Sequence, residues 1–297
     1  MPIGTGSELN LISFIFAVFF ASTLTAAENK PVLHFETEFI WHESASWFGG
    51  LSGLELSPDG QRMTIITDRG HVLQASIQRE AGQITAAKIT HSVAMRDATG
   101  SILRRPFTDA EGLAIAPDGT HSVSFEGQHR IATLNIKDGV TTPIARLSAS
   151  EFQAENSGFE ALAIDKNGTI FAIAEQTKGD HFPLFAFKDG TQTIAAQIPR
   201  NGPFLPVGAD FGANGRLYVL ERAVTPLGFR TRIRRIDLDT ATPHSVTLIQ
   251  TLPARFDNLE AISVWEDASG RTRLTLVSDD NFMPFQNTQI IEFSVID

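Results

Sequence analysis

One phrase recurs five times in this chain: an alternating apolar strand, a tight turn closed by glycine, a second alternating strand, and a charged residue at its end. The fullest copy is DNLEAISVWEDASGRTRLTLVSDDN, residues 257–281. Upstream stand SGLELSPDGQRMTIITDRG (52–70), EGLAIAPDGTHSVSFEG (111–127), EALAIDKNGTIFAIAEQ (160–176) and VGADFGANGRLYVLER (207–222). Alternation on both sides of a glycine-bearing turn is the signature of a β-hairpin. The turn glycines Gly60, Gly119, Gly168, Gly215 and Gly270 follow one another at 59, 49, 47 and 55 residues. Periods of about fifty residues suit propeller blades rather than solenoid coils.

Each of the first four units offers four strand candidates; in the first they are GLEL, MTIITD, HVLQASIQR and ITAAKITHSVAM. The last offers only three before the chain ends, AISVW, RLTLVSD and QIIEFSVI, whereas VLHFETEFIW (32–41) alternates with no local partner. A closed ring leaves no unpaired edge if that spare strand completes the last blade. The sequence therefore predicts an all-β propeller of five four-stranded blades, with residues 32–41 beside residues 289–295. A six-bladed ring is the alternative if residues 95–109 or other unassigned segments hide further strands.

Residues 28–297 are expected to form this single domain. In front of it an apolar run from Leu11 to Leu24 leads into Thr25-Ala26-Ala27 and then Glu28, the pattern of a secretory signal over residues 1–27 and hence of a periplasmic or secreted protein. The stretch before the run has no Lys or Arg and contains Glu8, so an uncleaved anchor is the alternative. No later segment is apolar enough to span a bilayer. A net charge of −10 argues against nucleic acid or anionic lipid as a partner. With no cysteine, disulfides, thiolate metal sites and cysteine nucleophiles are excluded. The expected state is a monomer that takes a small ligand.

The chemistry lies in two recurring slots. Eight residues before each turn glycine, with two extra allowed in EDASG, stand Ser52, Glu111, Glu160, Val207 and Glu260. Six to nine residues after it stand Asp68, Glu126, Glu175, Glu221 and Asp279, all acidic. Because paired strands run antiparallel, both slots are expected on one rim of the ring. Carboxylates so close repel one another unless a cation sits among them. Calcium takes six to eight oxygen ligands and needs no His or Cys. It is the expected ion, held by a subset of Asp68, Glu111, Glu126, Glu160, Glu175, Glu221, Glu260 and Asp279. Arg69 and Arg222 follow Asp68 and Glu221 directly. They serve either as ion-pair partners or as forks for phosphate oxygens, with Asp280 and Asn281 as further substrate-side candidates. Asp59, Asp118, Asn167 and Asn214 precede turn glycines and are explained by turn chemistry.

Other chemistries find little support. There is no GxSxG nucleophile elbow, and Ser52 with His71 lacks a third member. The histidines show no HExxH spacing.

The wording GGLSGLEL, TDRG, DAEGLA, FEALA, LPVGADF, VLER, DNLEAI and SDDNF, with Gln286 and Thr288 shortly after, resembles the secreted bacterial "esterase-like activity of phytase" family, or phytase-like domain proteins. The resemblance runs from Gly49 to the C-terminus and implies a propeller akin to the calcium-dependent propeller phytases. Together with the acidic rim it points to a metal-dependent hydrolase acting on phosphate esters or related esters, its substrate a small anionic ester. The alternatives are a non-catalytic periplasmic binding propeller with a structural calcium ion and, less well supported, a lactonase-like propeller hydrolase.

Overall fold

The computed structural model of the chain describes residues 30–126, 129–146, 158–174, 179–239 and 243–297. The expected signal up to Ala27 and the site candidate Glu175 lie outside these residues. Five four-stranded antiparallel sheets follow one another along the chain. The first blade holds β2 (Leu51–Leu56), β3 (Arg62–Thr67), β4 (His71–Glu80) and β5 (Gln83–Ala94). The second holds β6 (Ala110–Ile115), β7 (His121–Phe125), β8 (Arg130–Leu134) and β9 (Thr141–Arg146), and the third β10 (Phe159–Ile164), β11 (Ile170–Ala174), β12 (His181–Lys188) and β13 (Thr191–Pro199). The fourth holds β14 (Leu205–Phe211), β15 (Leu217–Thr225), β16 (Gly228–Asp237) and β17 (His244–Gln250). The fifth combines β18 (Asn258–Glu266), β19 (Thr272–Asp279) and β20 (Gln289–Ile296) with β1 (Val32–Ile40). The protein is thus a five-bladed β-propeller. Residues 95–109 add no blade; they make only the isolated bridges Arg96↔Ile102 and Arg96↔Val140.

Burial follows position in the blade. The inner strand β2 is buried at every residue and the second strand β19 at all but its ends, because both faces of an inner strand meet neighbouring blades. The fourth strands β5, β9, β13 and β17 alternate or face solvent, and β1 shares that outer-strand pattern. Apolar layers fill the wedges between blades. Trp41, Met63, Ile65, Trp265 and Val277 pack between the fifth and first blades, and Ala161, Ile173, Leu184, Ala209 and Val219 between the third and fourth.

Ring closure uses the spare strand. β1 pairs antiparallel with β20 from Val32↔Ile296 to Ile40↔Gln289, with one irregularity between Phe35 and Thr37. Thr37 turns inward there and accepts the Ile84 N–H of β5 at 3.3 Å, which ties the closing strand to the first blade. A second stitch crosses the same boundary: buried Glu292 of β20 accepts from Arg79 of β4 at 2.5 Å and from Arg273 at 3.2 Å.

The inner strands pack side by side around the axis, with β18 against β2 completing the circle. Each begins at one face, called upper here. The second strand of each blade runs back to that face, so the start of the first and the end of the second meet at the upper mouth.

Candidate functional site

Every inner strand carries a β-bulge at the same point. The pairing ladder skips Ser52 in β2, Glu111 and Gly112 in β6, Glu160 in β10, Val207 in β14 and Glu260 in β18. These are the residues of the first sequence slot. A bulge leaves its extra residue out of the ladder and re-aims the side chain; Ser52, Glu111 and Glu160 line the central channel. Small residues follow the bulges because the strands converge there. A Cβ on Gly112 would stand 2.6 Å from the Leu162 Cβ, and one on Gly208 would stand 2.9 Å from the Glu260 carbonyl oxygen. The neck below the bulges has room for about one water, ≈ 10 Å³, so the mouth is a cup rather than a passage.

Two more positions complete each blade's share of the rim: the residue two before the bulge and the one facing it on the second strand. They pair as Gly50 with Asp68, Asp109 with Glu126, Leu205 with Arg222 and Asn258 with Asp279. The blades fill these positions unequally. The second blade alone among the described residues has a carboxylate in all three, Asp109, Glu111 and Glu126, and their oxygens lie within 4.8 Å of one another. Neither Asp109 nor Glu111 has an ion-pair partner among the described residues. Burial pushes the Glu111 carboxyl well above its usual range, and the negative charges of Glu160, Glu260, Asp109 and Glu126 add to the effect. This is an acidic trio able to hold a metal ion.

The fourth blade departs from the expected pattern. Counting from the turn glycine assigned Glu221 to the acidic slot, but the register puts Arg222 there, opposite Leu205. A slip of one residue moves a side chain to the other face of a strand. Glu221 is accordingly fully buried off the mouth, clamped by Arg232 and Arg234 of β16, and its carboxylate is spent on those guanidiniums. Arg222 is no free phosphate fork either. Its Nη1 donates to Asn258 Oδ1 at 2.7 Å and to Glu260 Oε1, so the fourth blade supplies the counter-charge for the fifth.

The remaining candidates gather between the fifth and first blades. Burial pushes the Asp279 carboxyl up to about 7, helped by Glu260, Asp68 and Asp280, while the Asn281 N–H donating to Asp279 Oδ1 at 2.6 Å opposes the shift. Asp68 is raised by burial and by Asp109, against the pull of Arg69 and Arg105. Its Oδ1 is shielded from solvent with no hydrogen-bond partner. Gly50, at φ +62°, is what admits it, since a Cβ there would stand 1.9 Å from that oxygen. Asp280 holds its own loop together, accepting from Phe282 N at 3.0 Å and Thr288 Oγ1 at 3.1 Å. Asn281 is exposed and donates to Gln286 Oε1 at 3.3 Å. The Arg69 guanidinium lies 3.1 Å above the Phe282 ring centroid.

Ser52 is not a nucleophile in waiting: its Oγ donates to the Ala110 carbonyl at 2.5 Å, and His71 stacks on Trp47 at 5.2 Å. Sequence reasoning missed Asp109 and Arg105. Asp109 had a signal, the D-x-E spacing in Asp109-Ala110-Glu111, but only one repeat carries it. Arg105 had none, because it arrives on the loop between β5 and β6.

The cup thus combines clustered oxygen donors, carboxyl groups whose proton affinity is raised by burial, and guanidiniums at its edge. Among solved structures the chain is similar to the PQQ-bound aldose sugar dehydrogenase of Streptomyces coelicolor, at 13% identity and a TM-score of 0.50 over 90% of this chain and 99% of that one. It is also similar to the hydrazine synthase of Kuenenia stuttgartiensis, at 15% identity and a TM-score of 0.43 over 85% and 66%. At 13% identity the likeness to the dehydrogenase concerns the fold alone. No curated protein matches. The model of the family described as Phytase-like, esterase-like activity of phytase, matches residues 46–282, and the chain belongs to that family.

Proposed function

We propose that this propeller is a calcium-dependent hydrolase of phosphate esters, working outside the cytoplasm on a small anionic substrate. The observation that carries the reading is the trio Asp109, Glu111 and Glu126, with oxygens within 4.8 Å of one another at the rim of an acidic cup. The donor set fits a hard ion. It offers oxygen only, and oxygens that share a calcium at about 2.3–2.6 Å can stand no more than about 5 Å apart. When bound, calcium supplies positive charge beside the phosphoryl oxygens and polarises the ester phosphorus.

The chain's own groups account for the protons. Glu160, beside Glu111 in the channel lining, takes a proton from the attacking water as its oxygen bonds to phosphorus. Asp279, its carboxyl raised to about 7, is protonated in part at neutral pH and in that form gives its proton to the leaving oxygen as the phosphorus–oxygen ester bond breaks.

The test uses the full chain purified without chelator. Calcium should raise its melting temperature, chelator should reverse that, and an aryl phosphate should be turned over only with the ion present. Replacing Glu111 and Glu160 together by Gln removes two charges at nearly constant size and should abolish turnover in a folded protein. Calcium binding with no turnover of phosphate or carboxylic esters would leave a propeller whose ion is structural and refute the enzyme reading.

A further inference from the structure

The loop between β5 and β6 does more than connect two blades. Its base is pinned by the bridges of Arg96 to Ile102 and Val140 and by Leu103 N–H donating to the Met95 carbonyl at 2.9 Å. From there it runs to the mouth, turning at Arg104 through the 2.8 Å bond from Phe107 N–H, and ends on Asp109. Arg130 holds the turn by donating to the Phe107 carbonyl at 3.1 Å. Next in the chain, Thr108 lies against Gly70, where an added Cβ would meet the Thr108 Cβ at 3.1 Å and its Cα at 3.5 Å. The loop that carries Arg105 is therefore packed onto the turn that carries Arg69.

Two guanidiniums from different blades reach one edge of the cup in this way. Arg105 is exposed, and among the described residues neither it nor Arg69 forms an ion pair. Other arginines of the propeller are spent on carboxylates: Arg222 on Glu260, Arg232 and Arg234 on Glu221, Arg79 and Arg273 on Glu292. The charges that Arg105 faces are Asp68 and Asp109, and the latter belongs to the trio proposed to hold calcium. Once a cation engages Asp109, that carboxylate no longer balances Arg105, which is left to face an incoming ligand.

We propose that Arg105, paired with Arg69 across the boundary of the first and second blades, is a specificity-determining residue that grips the phosphoryl end of a dianionic substrate. The inference rests on the phosphate-ester reading above. A guanidinium presents a planar fork that matches phosphate oxygens, which a point charge such as lysine does not reproduce. Because the cation takes over Asp109, calcium and phosphate bind with positive coupling, and the coupling is reciprocal.

The experiment titrates inorganic phosphate into the full chain by calorimetry, with and without calcium, for wild type, Arg105→Gln and Arg105→Lys. With calcium present, Arg105→Gln should weaken phosphate binding about tenfold, the loss expected of a charge-assisted hydrogen bond. Arg105→Lys should recover part of it. Calcium affinity measured without phosphate should stay at or above the wild-type value. With an aryl phosphate, KM should rise more than kcat falls, and an uncharged aryl carboxylic ester should show no rise in KM. Wild-type phosphate affinity in calcium-loaded Arg105→Gln would overturn the proposal. Phosphate binding that depends on Arg105 in a protein that turns over no ester would keep this anion site and sink the hydrolase reading.

Discussion

Arg222 of β15 and Glu260 of β18 are ion-paired across the boundary between the fourth and fifth blades. The pair explains why the acidic rim is uneven. The fifth blade's bulge carboxylate is neutralised by a neighbour, whereas the second blade's Asp109 and Glu111 have no such partner among the described residues. Arg222→Gln should therefore add an uncompensated carboxylate to the cup. Metal-free protein should lose about 1–3 kcal/mol, and the rise in melting temperature on adding calcium should exceed that of wild type. Melting curves in calcium and in chelator give both quantities, and an equal rise in the two proteins would show that Glu260 does not communicate with the ion.

Glu221 is the control for the register. Removing its charge leaves the Arg232 and Arg234 guanidiniums buried without a carboxylate, and stranding buried charge costs about 3–5 kcal/mol. Glu221→Gln should thus lower stability in urea unfolding by that amount while leaving calcium affinity unchanged. Loss of calcium binding in a folded Glu221→Gln protein would return this residue to the rim.

A second acidic pair lies below the neck. Glu55 of β2 and Asp210 of β14 are both buried, with Ser263 Oγ donating to Glu55 Oε2 at 3.2 Å and Val264 N–H donating to Asp210 Oδ2 at 2.6 Å. Burial pushes Asp210 up to about 7; burial and the charge of Asp210 push Glu55 well above its usual range. A carboxyl raised on folding contributes stability at acid pH that is lost as pH climbs from the unfolded value, about 4, through the folded one. With calcium present to neutralise the upper cup, stability should still fall by a few kcal/mol between about pH 5 and pH 8. Glu55→Gln, whose amide can donate to Ser263 Oγ, should flatten that fall. Urea unfolding at the two pH values measures it, and an unaltered slope would mean that the pair does not titrate in this range.

Deleting residues up to Trp41 removes β1 and opens the ring. The loss covers the ladder from Val32↔Ile296 to Ile40↔Gln289 and the packing of Trp41 between the last and first blades. The melting temperature of the whole propeller should drop in one cooperative transition, because an open ring exposes the β20 edge and frees the fifth blade. An unchanged melting curve would show that closure contributes nothing.

The propeller was legible in the chain because its determinants are local or countable. Period-two alternation, turns such as Pro58-Asp59-Gly60, and a missing strand in the last repeat announce blades and closure without any knowledge of contacts. That Asp68, Glu111, Glu126, Glu160, Glu260 and Asp279 come to one rim also followed, since antiparallel pairing brings the start of one strand beside the end of the next; Glu221 did not join them. Which carboxylates are neutralised did not follow. That depended on strand register, which sets Arg222 rather than Glu221 opposite Leu205 at the mouth. It depended as well on partners brought by other blades and loops: Arg222 on Glu260, Arg105 beside Asp68 and Asp109, and Glu55 with Asp210 across the ring. Electrostatic energy is set by distance and burial rather than by spacing along the chain. Five similar repeats therefore folded into an uneven rim, in which, among the described residues, the clustered carboxylates Asp109, Glu111 and Glu126 stand in the second blade.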